Sequence, residues 1–161
     1  MSDLLEIRAL ADRYASAVDD GDLERMASLF APGGSLRVFA PGGAEPLKEL
    51  PVPDGVAVLL RSLAECYARW VHIVPNHWAQ LDAGGTTGSG ETYTMAFHLL
   101  EREGALIEEM QFVRYRDAFI RLDDGWRFAR RDAFRQWTNI RPVDPGQFAL
   151  DAVMARALSG G

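Results

Sequence analysis

The sequence predicts an α+β fold, with helices packed on one face of a curved, mostly antiparallel sheet. Three observations carry that expectation. Leu4, Ile7, Ala11, Tyr14 and Val18 form one apolar stripe at steps of three and four, the period of a helix. After Trp70 the apolar pattern changes to long alternating segments, the period of strands. Those segments are joined by Gly84-Gly85, Glu103-Gly104 and Asp123-Asp124-Gly125, turn sequences that return the chain antiparallel to itself.

The first helix ends at Asp20-Gly21, where Gly suits the left-handed position after a helix. Asp22 then reads as the N-cap of a short second helix carrying Leu23, Met26, Leu29 and Phe30, stopped by Pro32-Gly33-Gly34. Residues 35–40 read as a short strand. Residues 41–53, with four prolines, read as the longest loop and a candidate lid or pocket rim. Asp54 is placed as the N-cap of a third helix running to about Trp70, with Val56, Leu60, Leu63, Tyr67 and Trp70 on one face. Four longer strands follow, over residues 71–81, 88–100, 107–122 and 126–138. Asp144-Pro145-Gly146-Gln147 is a helix start, with a cap, Pro at the first position and Gln at the third, so a terminal helix over 144–158 is expected near the cavity mouth. Long curved strands wrapped around the N-terminal helices enclose a cone, and a cone leaves a cavity.

With 161 residues, 48% of them hydrophobic, the chain suits a single domain with one sizeable core. Seventeen basic against 23 acidic residues give a net charge of −6, which argues against nucleic acid as a partner. Seven arginines fall between Arg114 and Arg135. They are expected to alternate along strands and pair with acids such as Asp117, Asp124 and Asp132. No apolar run reaches the roughly 20 residues of a membrane helix, and the opening Met1-Ser2-Asp3-Leu4-Leu5-Glu6 lacks the pattern of a secretion signal, so the cytoplasm is the expected compartment. The one cysteine, Cys66, excludes an internal disulfide and reads as packing in the third helix.

Several ionisable residues stand where apolar ones would pack better. Asp19 ends the first helix, beside Val18 and five residues after Tyr14. His72 lies among Val71, Ile73 and Val74, and His98 between Phe97 and Leu99. Alternation puts His72 and His77 on opposite faces unless Pro75 breaks the strand. Each residue alone has a structural reading: a hydrogen-bonded strand histidine, a tyrosine in the core, an aspartate bonding the next turn. No spacing resembles a metal site, so no metal and no cofactor are expected.

Taken together and in order, these segments resemble a known family. Residues 14–22 with Leu29-Phe30-Ala31, then His72-Ile73-Val74-Pro75-Asn76, then Val113–Asp117 and Gly125–Phe128, are similar to SnoaL-like proteins of the nuclear-transport-factor-2-like superfamily. The resemblance covers about residues 4–138 and implies a cone-shaped α+β barrel. It is nearest to the scytalone-dehydratase-like branch, which also holds bile-acid dehydratases and hexachlorocyclohexane dehydrochlorinase. It implies that Asp19 and His72 are a catalytic pair, that His98, eight residues after Gly90, is a second histidine of the site, and that Tyr14 matches the tyrosine of the bile-acid enzymes. Val18 and Phe39-Ala40 stand where scytalone dehydratase has tyrosines, which argues against scytalone as the substrate. It also implies a homodimer or homotrimer.

The chemistry expected of such a site is proton transfer. An aspartate bonded to one imidazole nitrogen fixes the tautomer, and the other nitrogen can take a proton from carbon. His98 or Tyr14 can protonate a leaving hydroxyl or polarise a carbonyl. A dehydratase-type lyase, or a related isomerase or cyclase, acting on a small, mostly apolar cyclic substrate is therefore the leading expectation. The alternative is a non-catalytic small-molecule-binding protein of the same fold, because fold alone does not establish an enzyme.

Overall fold

The computed structural model describes residues 2–144, in the order α1 (Asp3–Asp19), α2 (Leu23–Ser28), β1 (Phe30–Phe39), β2 (Pro46–Pro51), α3 (Asp54–Cys66), β3 (Arg69–Ile73), β4 (His77–Leu81), β5 (Thr87–Arg102), β6 (Ala105–Leu122) and β7 (Gly125–Pro142). The terminal helix expected over residues 144–158 lies, beyond Asp144, outside the described residues. Among the described residues no helix is long and apolar enough to cross a membrane.

The fold is the expected α+β one. The seven strands form a single sheet in the order β2-β1-β7-β6-β5-β3, with β4 also paired to β5. β5, β6 and β7 are long and pair as successive antiparallel hairpins. One pairing departs from the antiparallel expectation: β1 runs parallel to β7. β1 enters from α2 rather than from a hairpin, so no tight turn dictates its direction, and it lies between the edge strand β2 and β7, the last described strand.

α1 lies across the concave face and buries Ile7, Leu10, Ala11, Tyr14, Ala17 and Val18. Opposite them stand Val113, Tyr115, Phe119, Trp126 and Phe128 from β6 and β7, which complete the core. Each large side chain buried here contributes about 1.5–3 kcal/mol, so this seam dominates the stability of the helix–sheet packing. The end of α1 is as read: Gly21 takes φ +64°, and the Asp22 carboxylate accepts from the Arg25 amide at 2.9 Å, capping α2.

Several local expectations are corrected. Asp54 is the first residue of α3 rather than its cap; Pro53 holds the cap position. α3 ends at Cys66, because Tyr67 turns extended and the amide of Ala68 already bonds the Leu99 carbonyl of the sheet. The apolar stripe through Tyr67 and Trp70 is thus shared between a helix and a strand whose inward positions coincide in period. Cys66 itself lies off that stripe and is exposed, not packing. Residues 46–51 form an edge strand, β2, whose two prolines sit at its ends, where no ladder bond is lost. Its Leu47 still reaches the cavity described below.

Pro32-Gly33-Gly34 falls inside β1, as a bulge against β7 between Phe30 and Ser35. The segment read as one strand over 71–81 is two, β3 and β4, interrupted at Val74, Pro75 and Asn76. They pair with different halves of β5. The interruption shifts the alternation, and His72 and His77 both face the concave side.

β4 comes very close to β5 at Gly90. A Cβ there would lie 2.4 Å from the Trp78 carbonyl oxygen and 3.1 Å from the Ala79 Cα, both backbone atoms that cannot step aside. Gly90→Ala should therefore cost about 1–3 kcal/mol, as overpacking does, measured by urea denaturation. An unchanged midpoint would show that β4 yields at no cost.

Candidate active site

α1 and β3 meet at their ends, and two bonds hold them. The Trp70 indole nitrogen donates to the Val18 carbonyl at 2.8 Å. One residue further along the helix, Asp19 uses both carboxylate oxygens on His72. Oδ2 accepts from the His72 amide at 3.0 Å, and Oδ1 lies 2.6 Å from the ring Nδ1. A carboxylate at the C-terminus of a helix opposes the macrodipole, and the last turn of α1 holds no basic residue to offset it. Capping does not explain Asp19; the imidazole does.

The amide bond fixes the carboxylate relative to the strand, so the ring has one orientation in which Nδ1–H donates to Oδ1. Nε2 is then the unprotonated nitrogen of a neutral imidazole. The His72 side chain is 9% exposed and lines a cavity of about 210 Å³. Val18, Leu36, Val38, Phe39 and Val113 supply much of its apolar wall, with Leu47, Leu59 and Leu63 at the side of β2 and α3.

His98 and Tyr14 line the same cavity. Three of the four side chains singled out from the sequence thus share one cavity, and the fourth, Asp19, is bonded to one of them. Residues opposite each other across two strands share a face, and Ala96 stands opposite His72 with His98 two positions on. The two imidazoles meet edge to face, with ring centres 5.9 Å apart. His98 is 3% exposed, and its Nδ1 is buried without a hydrogen-bond partner among the described residues. Burial first, and then the neighbouring His72, push its pKa down to about 4, against weaker opposition from Glu109 and Asp19. At neutral pH His98 is an uncharged imidazole able to give or take a hydrogen bond. Tyr14 is held well above the ordinary phenol range, chiefly by burial, and stays a hydroxyl donor.

Several residues of this cavity, and a pair behind His98 that does not line it, were not singled out from the sequence. Tyr67 stacks on His98 with ring centres 4.3 Å apart, and its hydroxyl donates to Glu109 Oε1 at 3.2 Å. The same oxygen accepts from the Gln111 amide at 2.5 Å. Burial, followed by the Glu109 charge, raises the Tyr67 phenol to about 12. Tyr115, Gln111 and Arg135 complete the wall. The available signal was alternation: Gln111, Val113 and Tyr115 are successive inward positions of β6, and Ala133 and Arg135 of β7.

A second polar group fills the other end of the interior. Arg131 and Asp117 are an ion pair, 3.2 Å apart and almost wholly buried. The guanidinium lies over the rings of Tyr115 at 3.9 Å, Tyr14 at 4.3 Å and Phe128 at 4.6 Å. Thr92 donates to Asp117 at 3.0 Å and meets His77 Nδ1 at 3.1 Å. Burial raises Asp117 to about 6 despite Arg131, and lowers His77 to about 4. Neither His77 nor Asp117 lines the 210 Å³ cavity. Three larger depressions, of about 420 Å³ beside Arg13 and Arg121, about 660 Å³ beside Val71 and Phe97 and about 260 Å³ beside Trp78 and Arg116, hold neither histidine of the site. No group of three or more His, Cys, Asp or Glu among the described residues could hold a metal.

Comparison with known proteins now bears on this geometry. The family model of the SnoaL-like domain matches residues 1–132. No curated protein matches the sequence. Among solved structures, a hexachlorocyclohexane dehydrochlorinase, LinA type 2, is similar at 17% identity and TM-score 0.71, over 87% of this chain and 88% of that one. A protein described as a scytalone dehydratase, from Novosphingobium aromaticivorans, is similar at 18% identity and TM-score 0.70, with the same coverage of 87% and 88%. One described as an aromatic ring hydroxylase, from the same organism, reaches 19% and 0.69 over 88% and 93%. At these identities the likeness establishes the fold, and the differing names show that the fold does not choose the reaction.

The histidine environments set a pH dependence. His98 and His77 sit near 4 in the folded protein against 6.5 ordinarily. Between those values the unfolded chain binds more protons, so stability falls as pH drops from 6.5 towards 4. Asp117, raised from 3.8 to about 6, works the other way, making stability fall as pH rises through that window. Two histidines against one carboxylate leave a net loss on acidification. At about 1.4 kcal/mol per pKa unit, His98 alone contributes up to about 3 kcal/mol. Urea denaturation between pH 4.5 and 7.5 should show this fall, and a His98→Phe variant should flatten it. Equal slopes in both proteins would refute the assignment.

Proposed function

The chain belongs to the SnoaL-like domain family, and from that premise we propose that it is a cofactor-independent lyase of the dehydratase type, or a related isomerase or cyclase, acting on a small, mostly apolar cyclic molecule. The observation that carries this reading is the two-pronged hold of Asp19 on His72 at the wall of an apolar cavity. Dehydrochlorination and dehydration, the reactions in the names of two structural neighbours, are both eliminations that can begin with loss of a proton from carbon.

In this reading His72 Nε2 takes that proton. The imidazolium formed is stabilised by Asp19, which already holds Nδ1–H, so little reorganises as charge develops. Tyr14, kept protonated by its surroundings, and neutral His98 supply hydrogen bonds to a carbonyl or to the departing oxygen. The proton on His72 returns to the leaving group in an elimination, or to another carbon in an isomerisation. None of these steps calls for a metal or redox cofactor, so treatment with a chelator should leave turnover unchanged.

The test is a panel of cyclic β-hydroxy ketones and unconjugated enones in deuterated water, followed by NMR for loss of water or deuterium incorporation at carbon. His72→Ala should lose about 10²- to 10⁴-fold in rate while remaining folded. Asp19→Asn should lose much of the same, because an amide can hold the wrong tautomer. Turnover at the native rate by folded His72→Ala would end the catalytic reading and leave the ligand-binding one. We further assign the homodimer or homotrimer contact to the convex sheet face, where Val71, Ile73 and Trp137 are each about half exposed. Val71→Asp should then lower the mass seen by light scattering, and an unchanged mass would place the contact elsewhere.

A further inference from the structure

Resting on the reading of the cavity as an acid–base site, we infer that Arg135 is the anchor for a carboxylate, and that the substrate is an apolar cyclic molecule bearing one. The argument begins with the other arginines. Of the seven between Arg114 and Arg135, six have a carboxylate partner within 4 Å: Arg114 and Arg116 with Glu91, Arg121 with Asp3, Arg127 with Asp124, Arg130 with Asp132 and Arg131 with Asp117. Arg135 has none among the described residues, and it is the one of the seven that lines the cavity. Arg135 is exposed at the edge of the wall made by Val38, Val113 and Ala133, where its guanidinium is a planar, permanently charged fork suited to two oxygens of one carboxylate.

One acid stands nearby. The Glu109 carboxylate is engaged by the Tyr67 hydroxyl and the Gln111 amide. The Arg135 charge also reaches the Tyr67 hydroxyl, which it favours in ionised form while Glu109 disfavours it. Both charges act on the Tyr67 hydroxyl, yet Arg135 and Glu109 form no ion pair among the described residues, and the guanidinium is left for an incoming anion.

Position along the sheet sets the size of the ligand. His72 on β3 and Arg135 on β7 are separated by β5 and β6. Three strand spacings amount to about 14 Å along the sheet. The sheet curves around the cavity of about 210 Å³ that both side chains line, so one small ligand within it can reach both. A carboxylate held by Arg135 would leave the apolar ring of such a ligand towards His72.

The experiment is an NMR titration at pH 7 with cyclohexanecarboxylate and its neutral counterpart, cyclohexanecarboxamide. The native protein should bind the carboxylate at least about tenfold more tightly. Arg135→Gln should abolish the difference, Arg135→Lys should keep part of it, and Glu109→Gln should enlarge it by removing the opposing charge. His72→Ala should retain the preference, so a failed acid–base reading and a failed anchor are told apart by turnover in one case and binding in the other. Equal affinities in the native protein, binding of neither compound at millimolar concentration, or a preference surviving in Arg135→Gln would overturn the proposal.

Discussion

Asp19 joins the last turn of α1 to the start of β3, and the rest of the site depends on that junction. Its carboxylate bonds a backbone amide and the ring of the same residue, so the strand and the imidazole are fixed by one group. Trp70, one inward position earlier, ties the helix to the same strand through the Val18 carbonyl. Without these bonds α1 would still be buried by Leu10, Tyr14 and Val18, but its end would be free to slide along the sheet. The orientation of His72 relative to His98 and Tyr14 would then be lost, although no apolar contact had changed. Specific geometry here comes from polar groups placed at the rim of an apolar seam.

The interior is divided between a filled end and an open one. At the filled end Arg131 and Asp117 form a pair with Thr92 and His77 in attendance, and aromatic rings cover the guanidinium. Burying two charges costs several kcal/mol each, and removing either partner alone strands the other, which is destabilising by about 3–5 kcal/mol. The gain is positional. Arg131 lies against the rings of Tyr14 and Tyr115, both of which also line the cavity, so the ion pair holds two hydrogen-bond donors of the site in place.

At the open end the charges are arranged differently. His98 is kept neutral by burial, Tyr14 and Tyr67 are kept protonated, and the Glu109 carboxylate is covered by two donors. The polar groups lining the void, Tyr14, Tyr115, His98 and Gln111, are thus mostly uncharged donors and acceptors at neutral pH, with the Asp19–His72 pair and Arg135 as the exceptions, while Tyr67 and Glu109 stand behind His98. Such a cavity suits a mostly apolar molecule whose charge, where it has any, is concentrated at one end.

Much of this was legible in the sequence because it depends on local period and local chemistry. The stripe Ile7, Ala11, Tyr14, Val18 determined α1 and its buried face, although Leu4, read as its first member, is about half exposed; the hairpin turns determined the order and direction of β5, β6 and β7; Gly21 and Asp22 determined where one helix stops and the next begins. Asp19, His72 and His98 stood out as ionisable residues in apolar settings, and Tyr14 only through the family resemblance. What the sequence could not decide were matters of pairing between distant segments. The end of α3 was misjudged because Tyr67 and Trp70 fit both a helix face and the inward side of a strand, and only the ladder from Ala68 to Leu99 chooses between them. β1 runs parallel to β7 because no turn links the two. The break at Pro75 sends β3 and β4 to separate halves of β5 and so puts His72 and His77 on one side. Arg135 looked like one of seven alternating arginines. Tertiary structure supplied carboxylates to six of them and a cavity to the seventh, because which charges meet depends on the strand register and not on their order in the chain.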